Sequence, residues 1–189
     1  MEINRIGIVG LGLIGGSIGL ELQKKGYEVF GLVNKSKTAE RAKERGLAQV
    51  ISTNSNILSN CSMVILAIPL EQLINPTLEL VNALPKNAVI TDVGSVKKPV
   101  LEIWKKLHPR FVGSHPMAGT IQTGVEAGRP NLFNNRPWIA TPEKTTDKDA
   151  LKAVHQLALA LESKWITTDA TTHDEAVALI SHLPVFIST

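Results

Sequence analysis

Two short segments of the sequence carry side chains that can move a proton. His115 stands in Gly-Ser-His-Pro-Met-Ala-Gly-Thr at residues 113–120, and Ser95 stands in Thr-Asp-Val-Gly-Ser-Val-Lys at residues 91–97. An imidazole, with an ordinary pKa of about 6.5, can accept a proton from a hydroxyl group as hydride leaves the adjoining carbon. A serine hydroxyl beside it can orient that group. The pair predicts oxidation of an alcohol, with His115 and Ser95 as catalytic residues that also contact the substrate.

A histidine in a loop is by itself about as often structural as functional. The glycines around His115 and its position after a predicted strand favour a functional role. Ser95 also follows a predicted strand. Because the carboxyl ends of parallel strands meet at one edge of a sheet, where open α/β sheets bind ligands, we expect Ser95 and His115 to lie there together.

A glycine-rich segment near the start of the chain is expected to bring a cofactor to the same edge. Residues 10–15 read Gly-Leu-Gly-Leu-Ile-Gly, between an apolar run at 3–9 and a helical pattern that continues to Lys25. Strand, glycine loop and helix in this order bind the diphosphate of a dinucleotide at the helix N-terminus. The residues predicted to contact the cofactor here and after two later strands are Gly10, Leu11, Gly12, Leu13, Ile14, Gly15, Ile68, Pro69 and Gly94.

The end of the second predicted strand favours NADP over NAD. NAD-binding proteins hold the ribose 2′-hydroxyl with an Asp or Glu about 20 residues after the glycines. Here Asn34, Lys35 and Ser36 occupy that place, and no carboxylate lies between Glu28 and Glu40. Amide, hydroxyl and ammonium groups suit a 2′-phosphate. A solvated loop with no ligand remains the alternative for these residues.

Apolar runs alternate with amphipathic segments along the chain, which predicts an α/β fold of the Rossmann type, with a doubly wound, mainly parallel sheet. The predicted strands are 3–9, 27–33, 48–51, 63–68, 88–91, 111–114, 138–141 and 164–167. A helix is predicted at 71–83, bent or restarted at Pro76. A glycine- and proline-rich loop is predicted at 115–130.

The last segment predicts the beginning of a second domain. Thr172 and Glu175 have the spacing of a capping box, and an apolar stripe at helical spacing follows and continues to the end of the sequence. We therefore expect a dinucleotide-binding domain at 1–168. Residues 169–189 would be the first helix of a truncated all-helical domain for substrate binding and dimerisation.

The composition of the chain argues against several classes of partner and ligand. The chain is 43% hydrophobic with a net charge of +3, and its basic residues are scattered, which argues against nucleic acid as a partner and fits a small anionic molecule. The longest apolar run, 63–70, is far shorter than the ~20 residues of a membrane span. A single cysteine, Cys61, fits a packed thiol in a reducing cytoplasm. No metal-ligand spacing occurs, so we expect no metal.

Five motifs together resemble the prephenate/arogenate dehydrogenase family of tyrosine biosynthesis, most closely its cyanobacterial arogenate dehydrogenase type. They are GLGLIGGS, AIP, TDVGSVK, GSHPMAGT and HDEAVALISHLP, and the resemblance covers essentially all 189 residues. The resemblance implies NADP-dependent oxidative decarboxylation of arogenate to tyrosine, with His115 as base and Ser95 beside it. It also implies a homodimer for the full-length family, which is doubtful for this truncated chain.

The resemblance also places two further histidines near the substrate. His182 and His173 are nine positions apart, which places them on opposite faces of a straight helix. We expect His182 to face the substrate, and His173 to cap the helix, contribute to an interface or be exposed in its first turn. Val185 stands where the family often has another histidine. The family's carboxylate-binding Arg belongs to the later helical domain, outside this chain.

Three other functions compete with this prediction. The substrate could be prephenate, with 4-hydroxyphenylpyruvate as product. A 6-phosphogluconate- or 3-hydroxyisobutyrate-type dehydrogenase shares the glycine loop and the AxP element, but its helical domain supplies a lysine base and the SHPMAG segment fits it poorly. The chain could also bind NADP without turnover, because its second domain is truncated.

Overall fold

The computed structural model describes residues 4–120 and 122–187, and residues 181–187 by their backbone only. Six parallel strands form the main sheet, in the order β3-β2-β1-β4-β5-β6. The strands are Arg5–Val9 (β1), Glu28–Leu32 (β2), Val50–Ser52 (β3), Met63–Leu66 (β4), Val89–Asp92 (β5) and Phe111–Val112 (β6). The chain runs outward to β3, returns to β4 beside β1 and continues to β6. The predicted Rossmann-type, doubly wound fold is confirmed.

The helices cover both faces of this sheet. They are Leu13–Lys24 (α1), Ser36–Glu44 (α2), Leu70–Ile74 (α3), Leu78–Ala83 (α4), Lys98–Leu107 (α5), Lys148–Ala160 (α6) and Ala170–Ile187 (α7). Along β1, Ile6 and Ile8 belong to the apolar core beneath α1 and α6, whereas Val9 belongs to the core beneath α5. This alternation is the two-residue period of a strand that is buried on both faces. Cys61 lies in the second core, as predicted, and burial raises the pKa of its thiol to about 11.

A second, smaller sheet stands beside the first and corrects one prediction. Its strands are Ser114–Pro116 (β7), Pro137–Ala140 (β8) and Lys164–Thr167 (β9), in the order β7-β8-β9. β7 and β8 are antiparallel, and His115 is paired with Ile139. The sixth strand therefore ends at Val112 rather than at Ser114, and His115 is in a strand rather than a loop. Gly113 separates the two strands, and its carbonyl accepts the amide of Thr141 at 3.0 Å.

Two helix predictions are refined by the structure. The helix predicted at 71–83 is two helices, because Pro76 interrupts it and Thr77 caps α4 by accepting the amide of Leu80 at 3.2 Å. The capping box at Thr172 is wrong, because α7 begins at Ala170 and its cap is Asp169. The carboxylate of Asp169 accepts the amide of Thr172 at 2.9 Å. The division of the chain at residue 168 stays a prediction.

Candidate active site

The loop after β1 is clamped between the ends of two neighbouring strands. The amide of Gly10 donates to the carbonyl of Leu32 at 2.8 Å, and the amide of Ala67 donates to that of Val9 at 2.8 Å. Gly10 has a φ of +89°, and a Cβ there would overlap the carbonyl oxygen of Ala67. Only glycine fits both the left-handed backbone and the close approach of the β4 loop.

The start of α1 is open where the loop meets the helix. Gly12 is the N-cap residue and offers no side chain to the first-turn amides. No atom lies within 4 Å of the position that a Cβ of Gly12 would take. At Gly15, by contrast, a Cβ would overlap the carbonyl oxygen of Gly10. Uncapped amides beside open space at a helix N-terminus can bind a diphosphate.

The other residues predicted to bind the cofactor surround this opening. Leu13, Ile14 and Ile68 are partly buried, and Pro69 is exposed at the start of α3. Leu11 differs, because its side chain is buried against Gly31 and leaves only its backbone for a ligand. The residues after β2, namely Asn34, Lys35 and Ser36, are all exposed. These residues follow β1, β2 and β4 at the carboxyl edge of the sheet, and Gly94, the remaining member of the predicted set, follows β5 at the same edge.

The turn after β5 is built on a buried ion pair. Asp92 and Lys97 are fully buried and bonded to each other. The ammonium of Lys97 also donates to the carbonyl of Ser114 at 2.9 Å, and the carboxylate of Asp92 accepts the amide of Gly94 at 2.9 Å. Burial lowers the pKa of Lys97 and Asp92 opposes that effect. Ser95 lies exposed at the tip of this turn, and among the described residues no hydrogen bond joins it to His115.

Ser114 fixes the strand that carries His115. Its hydroxyl lies 2.9 Å from that of Thr91, and the indole N–H of Trp138 donates to it at 3.0 Å. It donates to the carbonyl of Asp92 at 2.9 Å. These buried polar groups tie β7 to the end of β5, so the backbone of His115 is held firmly at the sheet edge.

His115 meets a partner on α7. Its Nδ1 lies 3.0 Å from the Nε2 of His173, with the two rings at 76°. His173 is only 2% exposed and its ring contacts His115 and Asp174, so the expectation of a capping or exposed first-turn histidine is wrong, while an interface role stays a prediction. The ring of His115 itself is partly exposed, and none of the described residues hydrogen-bonds its Nε2. His182 is in α7, but its side chain lies outside the described residues.

The surroundings of His115 keep its ring neutral. Burial, the ammonium of Lys97 and the neighbouring His173 lower the pKa of His115 to about 3, against the opposing effect of Asp174. The imidazole therefore carries a free lone pair at neutral pH, which a proton-accepting group requires.

Comparison with known proteins decides the family. The nucleotide-binding domain of prephenate dehydrogenase, as a family model, matches residues 18–177. The chain belongs to the prephenate dehydrogenase family. The matched region includes most of α1 and the segments that carry Ser95, His115 and His173. The glycine loop precedes residue 18, but it lies within the alignments to individual relatives, which cover 96% and 99% of the chain for the two prephenate dehydrogenases described next.

Three relatives illustrate how far the likeness extends. The prephenate dehydrogenase of Bacillus subtilis is 33% identical over 96% of the chain and 51% of its own length. The crystal structure of Synechocystis arogenate dehydrogenase superposes with a TM-score of 0.85 at 34% identity, over 97% of this chain and 66% of that one. The prephenate dehydrogenase of A. aeolicus, solved with hydroxyphenyl propionate and NAD+, gives 0.91 at 29% identity, over 99% and 67%. The chain thus spans about half the length of the Bacillus relative.

Sequence reasoning named His173 without its contact to His115, and it missed Asp174 and the Asp92–Lys97 pair. A signal for the pair was present, since both residues flank Gly94 and Ser95 in a single motif. Within the described ranges, no cluster of three or more ionisable residues could hold a metal ion. No described helix is both long and apolar enough to cross a membrane.

Proposed function

We propose that the chain is the nucleotide-binding part of an NADP-dependent dehydrogenase of tyrosine biosynthesis, which oxidatively decarboxylates arogenate to tyrosine. The observation that carries the proposal is the partly exposed imidazole of His115 at the same sheet edge as the open glycine loop. The strand order changes direction between β1 and β4, and open α/β sheets bind ligands at such a point, so we infer that both groups face a ligand crevice there. Membership of the family supplies the class of reaction.

The role of His115 follows from its free nitrogen. We assign Nε2 as the acceptor of the proton from the hydroxyl group on the substrate ring. Bound NADP+ would supply a hydride acceptor at this edge. The ring carboxylate leaves as carbon dioxide, and its bonding electrons make the ring aromatic. The phenolate oxygen formed in this way takes the proton back from His115, so the imidazole ends neutral and the step consumes no acid.

Different residues are proposed to bind different parts of the cofactor. Gly10 to Gly15 would bind the diphosphate through backbone amides. Ile68, Pro69 and Gly94 would line the path towards the nicotinamide. Asn34, Lys35 and Ser36 would hold the 2′-phosphate, and their exposure at the end of β2 leaves them free to do so. The absence of a carboxylate from these three positions favours NADP, although the relative from A. aeolicus was solved with NAD+.

Prephenate is supported equally as the substrate. The Bacillus and A. aeolicus relatives carry its name, whereas the Synechocystis relative is an arogenate dehydrogenase. The two substrates share the ring on which His115 acts and differ in their side chain, so His115 does not distinguish them. We further propose that Ser95 and His182 contact the substrate, and that a homodimer forms in full-length relatives.

A second candidate function is NADP binding without turnover. It is favoured by the length of the relatives, since the chain covers 51% of the Bacillus protein. One experiment separates the candidates: titrate the chain with NADP+ and NAD+ by calorimetry, then assay NADPH formation with arogenate and with prephenate. Turnover that falls about 10²–10⁴-fold in His115→Ala, with unchanged NADP+ affinity, is the expected result. Binding without turnover supports the second candidate, and no binding of either nucleotide refutes both.

A further inference from the structure

Three side chains form a single hydrogen-bonded line that ends at His115. The Nδ1 of His115 lies 3.0 Å from the Nε2 of His173, and the Nδ1 of His173 lies 2.7 Å from a carboxylate oxygen of Asp174. His173 and Asp174 belong to the first turns of α7, whereas His115 is in β7. The line therefore connects two elements that are distant in sequence.

Asp174 can only accept in this line. Its two oxygens accept the backbone amides of Lys97 and Lys98, at 2.7 and 2.9 Å. Burial alone would raise the pKa of Asp174, but the hydrogen bonds from Lys98, His173 and Lys97 outweigh it and hold the pKa below its ordinary value. An ionised carboxylate has no proton to donate. The proton between His173 and Asp174 therefore belongs to His173.

The tautomers of both rings follow from this assignment. We take His173 to be neutral, so that its single N–H is at Nδ1, towards Asp174, and its Nε2 offers a lone pair. The proton between the two rings must then belong to the Nδ1 of His115. The Nε2 of His115 is left with its lone pair and without a partner among the described residues.

We propose that His173, anchored by Asp174, is a positioning residue that selects the tautomer of His115 with Nε2 free to accept the substrate proton. The proposal rests on the proposed function for the identity of that proton. When Nε2 takes it, the new positive charge is shared along a line that ends at the carboxylate of Asp174. The opposite tautomer would present an N–H to the substrate hydroxyl and could not accept its proton.

The tautomer can be read without substrate or cofactor. Ring proton–nitrogen correlation spectra of the ¹⁵N-labelled chain at pH 7 should show His115 protonated at Nδ1 and bare at Nε2, with its signals assigned by their loss in His115→Gln. In His173→Leu, His115 should shift largely to the Nε2–H form. In His173→Gln, whose amide oxygen can replace the acceptor, the Nδ1–H form should persist.

His155 supplies the matched control, because it stacks on Trp165 at 4.8 Å, away from this line. His155→Leu should leave the spectrum of His115 unchanged. A wild-type His115 protonated at Nε2 overturns the proposal, as does a His173→Leu spectrum identical to that of the wild type. If the leucine variant does not fold, the glutamine variant decides: loss of the Nδ1–H form there also overturns the proposal.

Turnover gives a second readout. General acid–base catalysis contributes about 10²–10⁴-fold, so loss of the group that positions His115 should forfeit part of it: His173→Leu should lower kcat by about 10–100-fold with NADP+ affinity unchanged, and His173→Gln should restore part of that loss. A merely structural role would not discriminate between the variants in this way. If the wild-type chain shows no turnover, the proposed function fails for it, while the spectra still decide the tautomer.

Discussion

Gly12→Ala separates nucleotide binding from folding more cleanly than any other change at the glycine loop. The backbone of Gly12 has a φ of −78° and a ψ of −155°, which alanine can adopt, and its Cβ would meet no atom within 4 Å. Alanine also reduces the entropy of the unfolded chain. The free energy of unfolding should therefore stay constant or rise by up to about 1 kcal/mol.

The same methyl group should be costly once a nucleotide is bound. It would stand where the diphosphate approaches the uncapped amides of α1. Losing one hydrogen bond to a charged group costs about 1.5–3 kcal/mol, and this corresponds to about a 10–150-fold increase in Kd. Calorimetric titration with NADPH measures that change, and urea unfolding measures the stability of the same preparation.

Gly15→Ala is the matched comparison, because its Cβ would overlap the carbonyl oxygen of Gly10. This variant should lose about 1–3 kcal/mol of stability as the helix is pushed from the loop. The reasoning is refuted if Gly12→Ala binds NADPH as tightly as the wild type. It is also refuted if the two variants lose stability equally.

Three further changes test the charges of the site. Asn34→Asp should weaken NADP+ binding by about tenfold or more and leave NAD+ binding nearly unchanged, since a carboxylate repels a 2′-phosphate. If the ratio of the Kd values for NADP+ and NAD+ does not change, the 2′-phosphate does not bind at Asn34. His115 has a folded-state pKa of about 3, below its unfolded value, so between pH 6.5 and 3 the unfolded state binds the extra proton and stability falls as the pH falls. The contribution of His115 to the free energy of unfolding changes by at most about 1.4 kcal/mol per pH unit. Urea unfolding from pH 4 to 7 should therefore show a smaller change of the unfolding free energy with pH for His115→Gln than for the wild type. Equal changes contradict the lowered pKa of His115. Lys97→Met leaves the buried carboxylate of Asp92 without its cation and should lower the free energy of unfolding by about 3–5 kcal/mol. The double variant Lys97→Met/Asp92→Asn should recover part of that loss. If urea unfolding of Lys97→Met shows a loss below about 1 kcal/mol, the ion pair is not a source of stability.

The order and type of the main elements could be predicted because they depend on local patterns. The fully apolar run at β4 and the glycine spacing before α1 have short-range physical causes, namely burial on both faces and close helix packing. The carboxyl-edge position of the loops then follows from parallel connectivity alone. For the same reason the predicted cofactor residues around Gly12 are found together.

The contacts that were not predicted are those between segments far apart in sequence. His173 was judged from its own helix, where an early position suggests exposure, but its burial depends on the docking of α7 beside β7. The pairing of His115 with Ile139 depends on β8, more than 20 residues later, and overrides the loop-like composition around it. In the sequence Asp92 and Lys97 look like ordinary surface residues, and only the packing of β5, α5 and β7 around them makes them a buried pair.

The two amides that Asp174 receives from the start of α5 have a consequence for shortening the protein. A chain that stopped at residue 168 would keep every backbone contact of the glycine loop described above, yet it would remove both neighbours that orient His115. A chain that continued through the first turns of α7 would retain them. The proposed nucleotide site and the orientation of His115 therefore depend on different lengths of chain, because the second also requires His173 and Asp174 at the beginning of α7.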